Sequence, residues 1–185
     1  MARTPSNMLP LGTKAPSFKL LNTINNNLVE IADLQVNKGL LVMFICNHCP
    51  FVKHIENEIS KIGEFCREND VSVVAISSND IENYPEDSPE KMSAFASSNG
   101  FNFPYLYDET QEVAKSYDAA CTPDFYLFNG DLELVYRGQL DDSRPGNDIP
   151  VTGSDLRRAI SSLVNDLPIF EDQQPSLGCN IKWKS

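Results

Sequence analysis

Two cysteines separated by two residues stand where an apolar segment gives way to a helical pattern. Cys46 and Cys49 follow the continuous apolar run 39–45, and the helical pattern begins at Phe51. Such a run is typical of a central strand that is buried on both faces. A thiol near the first amides of a helix has a lowered pKa, because the positive end of the helix dipole stabilises the thiolate. The spacing also allows a small disulfide ring to close. The motif therefore predicts a strand-to-helix junction suited to thiol–disulfide exchange.

The roles expected of the motif residues follow from their order in the chain. Cys46 precedes the helix, so we expect it to be the more exposed thiol and the attacking nucleophile. Cys49 lies in the first turn, so we expect it to be more buried and to resolve the mixed disulfide. A protonated His48 between them is predicted to lower the Cys46 pKa and to make the pair more oxidising. Asn47 and Pro50 complete the motif Cys-Asn-His-Cys-Pro.

The composition argues against several classes of function. The 185 residues carry a formal net charge of -11, and an acidic chain is a poor nucleic-acid ligand because phosphate contacts need Lys and Arg. The sequence has no apolar run long enough to cross a membrane and no signal-peptide core at its start. Its five cysteines are an odd number, which argues against a structural disulfide framework. We therefore predict a cytoplasmic protein with no nucleic-acid or membrane partner, no cofactor and no bound metal.

The order of the predicted elements indicates a single α/β domain over residues 1–185, with a mixed central sheet flanked by helices. Residues 1–16 are predicted to form an extended arm, and residues 168–185 a tail without clear periodicity. The pair Asn129-Gly130 predicts a tight primed turn between the last two strands. Strands are predicted at 18–21, 28–31, 39–45, 71–77, 105–107, 124–128 and 134–136. Helices are predicted at 51–66, 88–100, 110–117 and 156–167.

Several motifs resemble the thioredoxin superfamily. The resemblance is carried by the motif at Cys46, by Thr122-Pro123 before a strand–turn–strand segment, and by the C-terminal helix. The N-terminal hairpin and the additional βα unit within 71–107 are similar to its redoxin branch, which includes the alkyl hydroperoxide reductase/thiol-specific antioxidant proteins and TlpA-like reductases. The segment Gly178-Cys-Asn-Ile-Lys-Trp is similar to peroxiredoxin-like proteins of this branch.

The resemblance implies a thioredoxin fold with an N-terminal β-hairpin and a βα insertion. It also implies that Thr122-Pro123 is a cis-proline segment that faces the two cysteines. The backbone of this segment would pair with an extended substrate peptide, and Pro123 would keep metal ions off the thiols.

Three functions stay open at this point. The first is a thiol–disulfide oxidoreductase in redox or antioxidant defence, with protein or small-molecule disulfides and thiols as partners. The second is a thiol-dependent peroxidase in which Cys179 resolves, although neither motif cysteine is preceded by the Pro and Thr of typical peroxiredoxins. The third is a copper- or zinc-binding protein that uses Cys46, Cys49 and either His48 or His54. The sequence does not indicate an oligomeric state.

The remaining cysteines and one acidic cluster have less specific interpretations. Cys121 precedes Thr122, so it is either a third redox thiol or a buried residue. Cys179 lies in the tail, where it either resolves a disulfide or anchors the tail by packing. Cys66 fits the buried face of its helix. A group of acidic residues is interpreted as a solvated surface rather than as a docking patch for a basic partner: Asp80, Glu82, Glu86, Asp87 and Glu90.

Overall fold

The computed structural model describes residues 3–185, and strands and helices alternate along this part of the chain. The strands are β1 (Thr4–Pro5), β2 (Lys19–Asn22), β3 (Leu28–Glu30), β4 (Gly39–Phe44), β5 (Val71–Ser77), β6 (Tyr105–Tyr107), β7 (Cys121–Thr122), β8 (Asp124–Asn129), β9 (Leu134–Gly138) and β10 (Leu177–Asn180). The helices are α1 (Pro50–Glu68), α2 (Pro89–Ser98), α3 (Glu112–Ser116) and α4 (Ser154–Val164). Across residues 3–185, no helix combines the length and the apolar character needed to cross a membrane.

Seven of the described strands form one mixed sheet in the order β3-β2-β6-β5-β4-β8-β9. β4, β5 and β6 run parallel, whereas β8 is antiparallel to β4 and forms a hairpin with β9. β2 and β3 form the predicted N-terminal hairpin. Residues of α1, α2 and α4 pack on one face of the sheet, and residues of α3 pack on the other. The predicted mixed sheet flanked by helices is therefore confirmed.

β4 occupies a central position in this sheet, and all six of its residues are buried. Leu41 and Met43 belong to the core beneath α1, whereas Leu40 and Val42 belong to the core on the opposite face. Burial on both faces explains why the strand is continuously apolar. Each large apolar side chain buried in this way contributes about 1.5–3 kcal/mol to folding. The strand therefore holds its carboxyl end, where the C-x-x-C motif begins, in a fixed place.

Helix α1 begins inside the motif. Cys49 is its N-cap residue, and Pro50 occupies the first turn. Proline suits this place because the amide it lacks would have no partner within the helix. The predicted stripe of Ile55, Ile59 and Ile62 is buried against the sheet. The second motif cysteine therefore stands at the positive end of a 19-residue helix.

The tail contains a strand that the sequence pattern did not reveal. β10 pairs antiparallel with β1 on one side and with β7 on the other, which gives a second, three-stranded sheet. The register places Cys179 opposite Thr122 and Gly178 opposite Thr4. The segment Leu-Gly-Cys-Asn contains no β-branched residue, and Gly and Asn are depleted in strands, so local propensity does not predict this strand. Residues 177–180 of the tail therefore form a strand that the sequence analysis did not predict.

The connection between β8 and β9 also differs from the prediction. The chain makes a longer loop, in which Leu132 has a positive φ of 61°. The side-chain oxygen of Asn129 accepts hydrogen bonds from the amides of Asp131 and Glu133. An Asn side chain that bonds the following backbone stabilises such a loop. The predicted two-residue Asn-Gly turn is therefore wrong, although the hairpin itself is present.

Candidate functional site

The two motif cysteines lie between the carboxyl end of β4 and the first turn of α1. Cys46 is 1% exposed and Cys49 is 0% exposed. The predicted difference in exposure is therefore absent, because both thiols are enclosed by the surrounding chain. Cys46 is followed by Asn47 and His48, and the His48 side chain is 26% exposed. Pro50, which follows Cys49, is exposed.

The segment Thr122-Pro123 lies directly against both motif sulfurs, and its peptide bond is cis. Cys46 Sγ is 3.4 Å from Thr122 Oγ1, and Cys49 Sγ is 3.4 Å from the Thr122 carbonyl oxygen. The backbone of Thr122 pairs with β10 in the described structure. The edge that the resemblance assigned to a substrate peptide is thus occupied by the tail of the same chain.

The tail brings a third cysteine to the motif. Cys179 Sγ lies 2.9 Å from Cys49 Sγ, although the two residues are 130 positions apart. Gly178 makes this approach possible, because a Cβ atom at this position would lie 1.9 Å from the Thr122 carbonyl oxygen. Cys46, Cys49 and Cys179 therefore form a cluster of three thiols beside the cis-proline segment.

The negative charge of this cluster is favoured on Cys49. The hydrogen bonds between Cys49 and the thiols of Cys46 and Cys179 lower the pKa of Cys49 to about 5, although burial opposes this shift. The Thr122 carbonyl oxygen favours a protonated Cys49, but the hydrogen bonds with the two other thiols and with the Val52 amide at the helix N-terminus favour the thiolate. The hydrogen bond to Cys49, with burial, raises the pKa of Cys46 well above its ordinary value. The lowered pKa is therefore favoured on Cys49, whereas the sequence analysis placed it on Cys46.

A pH titration of the reduced protein should show this charge. Thiolates absorb near 240 nm, and we expect one transition with a midpoint close to pH 5, because the pKa of Cys49 is lowered to about 5. Cys49→Ser should remove the transition, whereas Cys66→Ala should leave it unchanged because Cys66 is packed in the core. A first thiolate transition above about pH 8, the ordinary range for cysteine, would contradict the assignment.

His48 forms an ion pair with a residue of a different loop. His48 Nδ1 lies 2.6 Å from Asp87 Oδ2, and its ring stacks on Tyr84 with 5.7 Å between the centroids. The hydrogen bond to Asp87 raises the pKa of His48, and the Cys49 thiolate raises it further. By the same interaction the imidazolium favours the thiolate at Cys49. The nearby Asp87 carboxylate, in contrast, raises the pKa of Cys46.

Asp87 is a central residue of the site that the sequence analysis placed on the surface. It is 0% exposed, and its carboxylate accepts hydrogen bonds from the Asn47 amide at 2.8 Å and from Asn79 Nδ2 at 2.8 Å, as well as from His48. Burial alone would raise the pKa of this carboxyl group, but the hydrogen bonds from His48, Asn79 and Asn47 together lower it. Asp80 of the same cluster is also buried, so the predicted solvated surface is wrong for these two residues.

The Asp87 network reaches both the motif and the tail. Asn47 Oδ1 accepts a hydrogen bond from Tyr105 OH at 2.9 Å, which anchors the motif loop to β6. Asn79 Oδ1 accepts a hydrogen bond from the Lys182 amide at 2.9 Å, which anchors the tail after β10. The sequence shows that Asp87 lies two residues before Pro89, which starts a helix. Only the tertiary structure places Asp87 beside His48.

The other candidate residues lie apart from the reacting sulfurs or are packed. Cys121 is buried, and burial raises the pKa of its thiol. Its Sγ contacts the Pro123 carbonyl oxygen at 3.8 Å. Burial raises the pKa of Cys66 to about 12, as expected for a core cysteine. His54 Nε2 is 2.7 Å from Ser143 Oγ, so His54 is engaged by a loop outside the motif.

One group of side chains among residues 3–185 has the spacing of a metal site. One ligand atom from each of Cys46, His48 and Asp87 lies within 4.8 Å of the others. This set shares two residues with the predicted copper or zinc site and replaces Cys49 with Asp87. However, His48 and Asp87 are hydrogen-bonded to each other in this arrangement. A metal ion would have to break that ion pair, so the geometry favours the pair as a buried structural contact.

Comparison with known proteins identifies the family. A model of the AhpC/TSA family matches residues 11–137, which is more than half of the chain. The chain belongs to the AhpC/TSA family. The matched segment includes the C-x-x-C motif, Asp87 and Thr122-Pro123, whereas Cys179 lies beyond it. Among curated proteins, no sequence matches the chain significantly.

Two solved structures match nearly the whole chain. An uncharacterised conserved protein from Geobacillus kaustophilus is 57% identical, with a TM-score of 0.97, and the match covers 100% of this chain and 97% of that one. A hypothetical protein from Sinorhizobium meliloti is 44% identical, with a TM-score of 0.96, and the match covers 98% and 99% of the two chains.

A more distant match concerns the fold alone. A secreted disulfide oxidoreductase from Mycobacterium tuberculosis, homologous to E. coli DsbE, is 19% identical with a TM-score of 0.59, and the match covers 81% of this chain and 96% of that one. This AhpC/TSA protein therefore has the expected thioredoxin fold, and its family indicates oxidoreductase activity in general.

Proposed function

We propose that this AhpC/TSA protein is a thiol–disulfide oxidoreductase in which Cys46 and Cys49 alternate between two thiols and a disulfide. The observation that carries the proposal is the position of the two sulfurs at the N-terminus of α1, where both lie 3.4 Å from Thr122 of the cis-proline segment. A thiolate is the reactive form in disulfide exchange. Its substrates would be protein or small-molecule disulfides and thiols, in redox or antioxidant defence. The cytoplasmic location is a prediction from the sequence.

The surroundings of the two sulfurs favour Cys46 as the attacking thiol. Cys49 is enclosed by Cys46, Cys179 and the Thr122 carbonyl oxygen. Cys46 Sγ lies within 4.8 Å of a ring nitrogen of His48, whose side chain is partly exposed. Because the two thiols share a hydrogen bond, the Cys46 proton can move to Cys49 and leave the thiolate on Cys46. The negative charge favoured on Cys49 is therefore transferred to Cys46 when Cys46 attacks a substrate.

The reaction then proceeds by two exchanges. Cys46 thiolate attacks one sulfur of the substrate disulfide, a mixed disulfide forms, and the leaving substrate thiolate takes up a proton from solvent. Cys49 gives up its proton and attacks Cys46 Sγ, the Cys46–Cys49 bond forms, and the second substrate sulfur leaves as a thiol. The substrate gains two electrons, and the cysteine pair loses two.

A trapping experiment tests this order. Cys49→Ser protein mixed with an aromatic disulfide is expected to hold a stable mixed disulfide at Cys46, because the resolving thiol is absent. The matched control Cys66→Ala retains both motif thiols and should accumulate no adduct at Cys46. Peptide mapping by mass spectrometry locates the adduct. An adduct at a different cysteine, or an unmodified Cys49→Ser protein, would contradict the proposed role of Cys46.

A thiol-dependent peroxidase is the second candidate, and one observation supports it. Cys49 has a pKa lowered to about 5, and Cys179 lies next to it. A thiolate reduces hydrogen peroxide by becoming a sulfenic acid, which condenses with a second thiol to a disulfide and water. Peroxide consumption by the protein with a dithiol reductant, compared with Cys49→Ser, separates this candidate. If peroxide is not consumed, the disulfide-exchange function stands alone.

A further inference from the structure

We infer that Cys179 is a third catalytic thiol, which exchanges with the Cys46–Cys49 disulfide at Cys49 and yields a Cys49–Cys179 disulfide. The inference rests on the proposed redox role of the motif and extends it to a residue beyond the segment that matches the family. The structure offers three independent supports: the position of the sulfur, the anchoring of the strand that carries it, and the pairing of that strand with the cis-proline segment.

The position of the sulfur is the first support. Cys179 Sγ lies 2.9 Å from Cys49 Sγ, and Cys49 also shares a hydrogen bond with Cys46. Cys49 is thus in contact with both other sulfurs. An attacking thiol must reach the sulfur of a disulfide directly, and Cys179 is already beside Cys49. Formation of the new bond requires only a small movement of the two side chains.

The anchoring of β10 is the second support, because it makes the contact a feature of the fold. Ser176 before the strand donates a hydrogen bond to the Pro123 carbonyl oxygen at 2.5 Å. After the strand, the Ile181 amide bonds the Ala120 carbonyl oxygen at 3.0 Å, and Ile181 is buried. The Lys182 carbonyl oxygen accepts a hydrogen bond from the Asp80 amide at 2.8 Å. The tail is therefore fixed on both sides of Cys179.

The pairing of β10 with β7 is the third support. Cys179 lies opposite Thr122 in the antiparallel register, and Gly178 fits against the Thr122 carbonyl oxygen only because it has no side chain. This pairing holds the extended tail against the cis-proline segment and places the Cys179 sulfur on the motif.

The exchange balances without an external oxidant. Reduction of the first substrate converts the two motif thiols into a Cys46–Cys49 disulfide, as proposed above. Cys179 loses its proton and attacks Cys49 Sγ, the Cys49–Cys179 bond forms, and the Cys46–Cys49 bond breaks. The electron pair leaves on Cys46, which takes up a proton. The number of disulfides is unchanged, and the oxidising equivalent moves to Cys179, whose residue is 5% exposed compared with 1% for Cys46.

Single-cysteine replacements test the inference with the full chain. Reduced Cys46→Ser protein, oxidised with diamide, a two-electron thiol oxidant, is expected to lose two thiols and to yield a Cys49–Cys179 bond in peptide maps. Cys179→Ser protein should instead yield a Cys46–Cys49 bond. In the wild-type protein, acid-quenched samples taken after addition of a disulfide substrate should show Cys46–Cys49 first and Cys49–Cys179 later. Cys66→Ala should reproduce the wild-type sequence of bonds.

The outcomes separate this inference from the proposed function. If Cys179→Ser forms Cys46–Cys49 but neither Cys46→Ser nor the wild-type protein forms Cys49–Cys179, the inference is overturned and the proposed function is retained. If Cys46→Ser forms Cys49–Cys179 but no protein forms Cys46–Cys49, the proposed function fails and the exchange step fails with it. If Cys179 had only a structural role, the wild-type protein and Cys179→Ser would form the same disulfide, Cys46–Cys49.

A backbone variant provides a test that keeps all cysteines. Gly178→Ala places a Cβ atom against the Thr122 carbonyl oxygen, so β10 must move away and Cys179 must leave Cys49. We expect its oxidised form to carry Cys46–Cys49 with little Cys49–Cys179. The neighbouring exposed Asn180→Ala is the control and should behave as the wild type. Equal amounts of the Cys49–Cys179 bond in Gly178→Ala and the wild type would contradict the role assigned to the register.

Discussion

Replacement of Asp87 by alanine is expected to lower the free energy of unfolding of the reduced protein by about 3–5 kcal/mol. The carboxylate is fully buried and accepts hydrogen bonds from His48, Asn79 and the Asn47 amide. Its loss leaves these donors without their acceptor in a buried place. Urea unfolding with a reductant present measures the change. The adjacent exposed Glu86→Ala is the control and should stay within about 0.5 kcal/mol of the wild type. A loss below about 1 kcal/mol for Asp87→Ala would contradict the central position of Asp87.

The pH dependence of this effect follows from the two shifted pKa values. The contribution of Asp87 is present above the ordinary carboxyl pKa and is lost as the pH falls through its lowered pKa. The contribution of His48 is present below the ordinary histidine pKa and is lost as the pH rises through its raised pKa. The stability difference between the wild type and Asp87→Asn should therefore be largest between these two pKa values. A difference that does not vary with pH would show that the ion pair contributes nothing.

Replacement of Cys49 by serine is expected to reduce the turnover number for a small disulfide by at least about a thousandfold, because catalysis requires the resolving thiol. The first exchange at Cys46 still occurs once, so a single-turnover burst should remain while steady-state turnover disappears. This pattern distinguishes loss of a catalytic thiol from loss of folding. The assay follows release of substrate thiol with a dithiol reductant.

The matched control for this loss is Cys66→Ala. Cys66 is buried in the core beneath the sheet and lies on the same helix as the motif. Its turnover should stay within about twofold of the wild type. A Cys49→Ser protein that keeps more than about a tenth of the wild-type turnover would show that a different residue resolves the mixed disulfide.

The central part of the fold was predictable because its signals are local. The apolar run of β4 reflects burial on both faces, and the stripe on α1 reflects a helix with one buried face. Ser88 and Pro89 mark the start of α2, where the Ser88 side chain accepts a hydrogen bond from the Lys91 amide. These features depend on neighbours within a few residues, so a single sequence contains them.

The features that were missed depend on contacts between distant segments. Asp87 belongs to an acidic stretch that looks solvated, and only its contact with His48 makes it part of the site. The strand around Cys179 is stabilised by pairing with β1 and β7 rather than by its own composition. The pKa of Cys49 is lowered by its hydrogen bonds with Cys46 and Cys179, and the motif alone does not indicate the contact with Cys179.

The most direct test of the redox pair is a titration of Cys179→Ser protein in glutathione buffers of increasing oxidation. This variant keeps the motif pair together with Cys66 and Cys121. We predict that two thiols disappear together with a two-electron slope, about 30 mV for each tenfold change, and that mapping finds a Cys46–Cys49 bond. Thiols that disappear one at a time as glutathione adducts, or a motif that stays reduced throughout, would contradict the proposal that Cys46 and Cys49 form a redox-active pair.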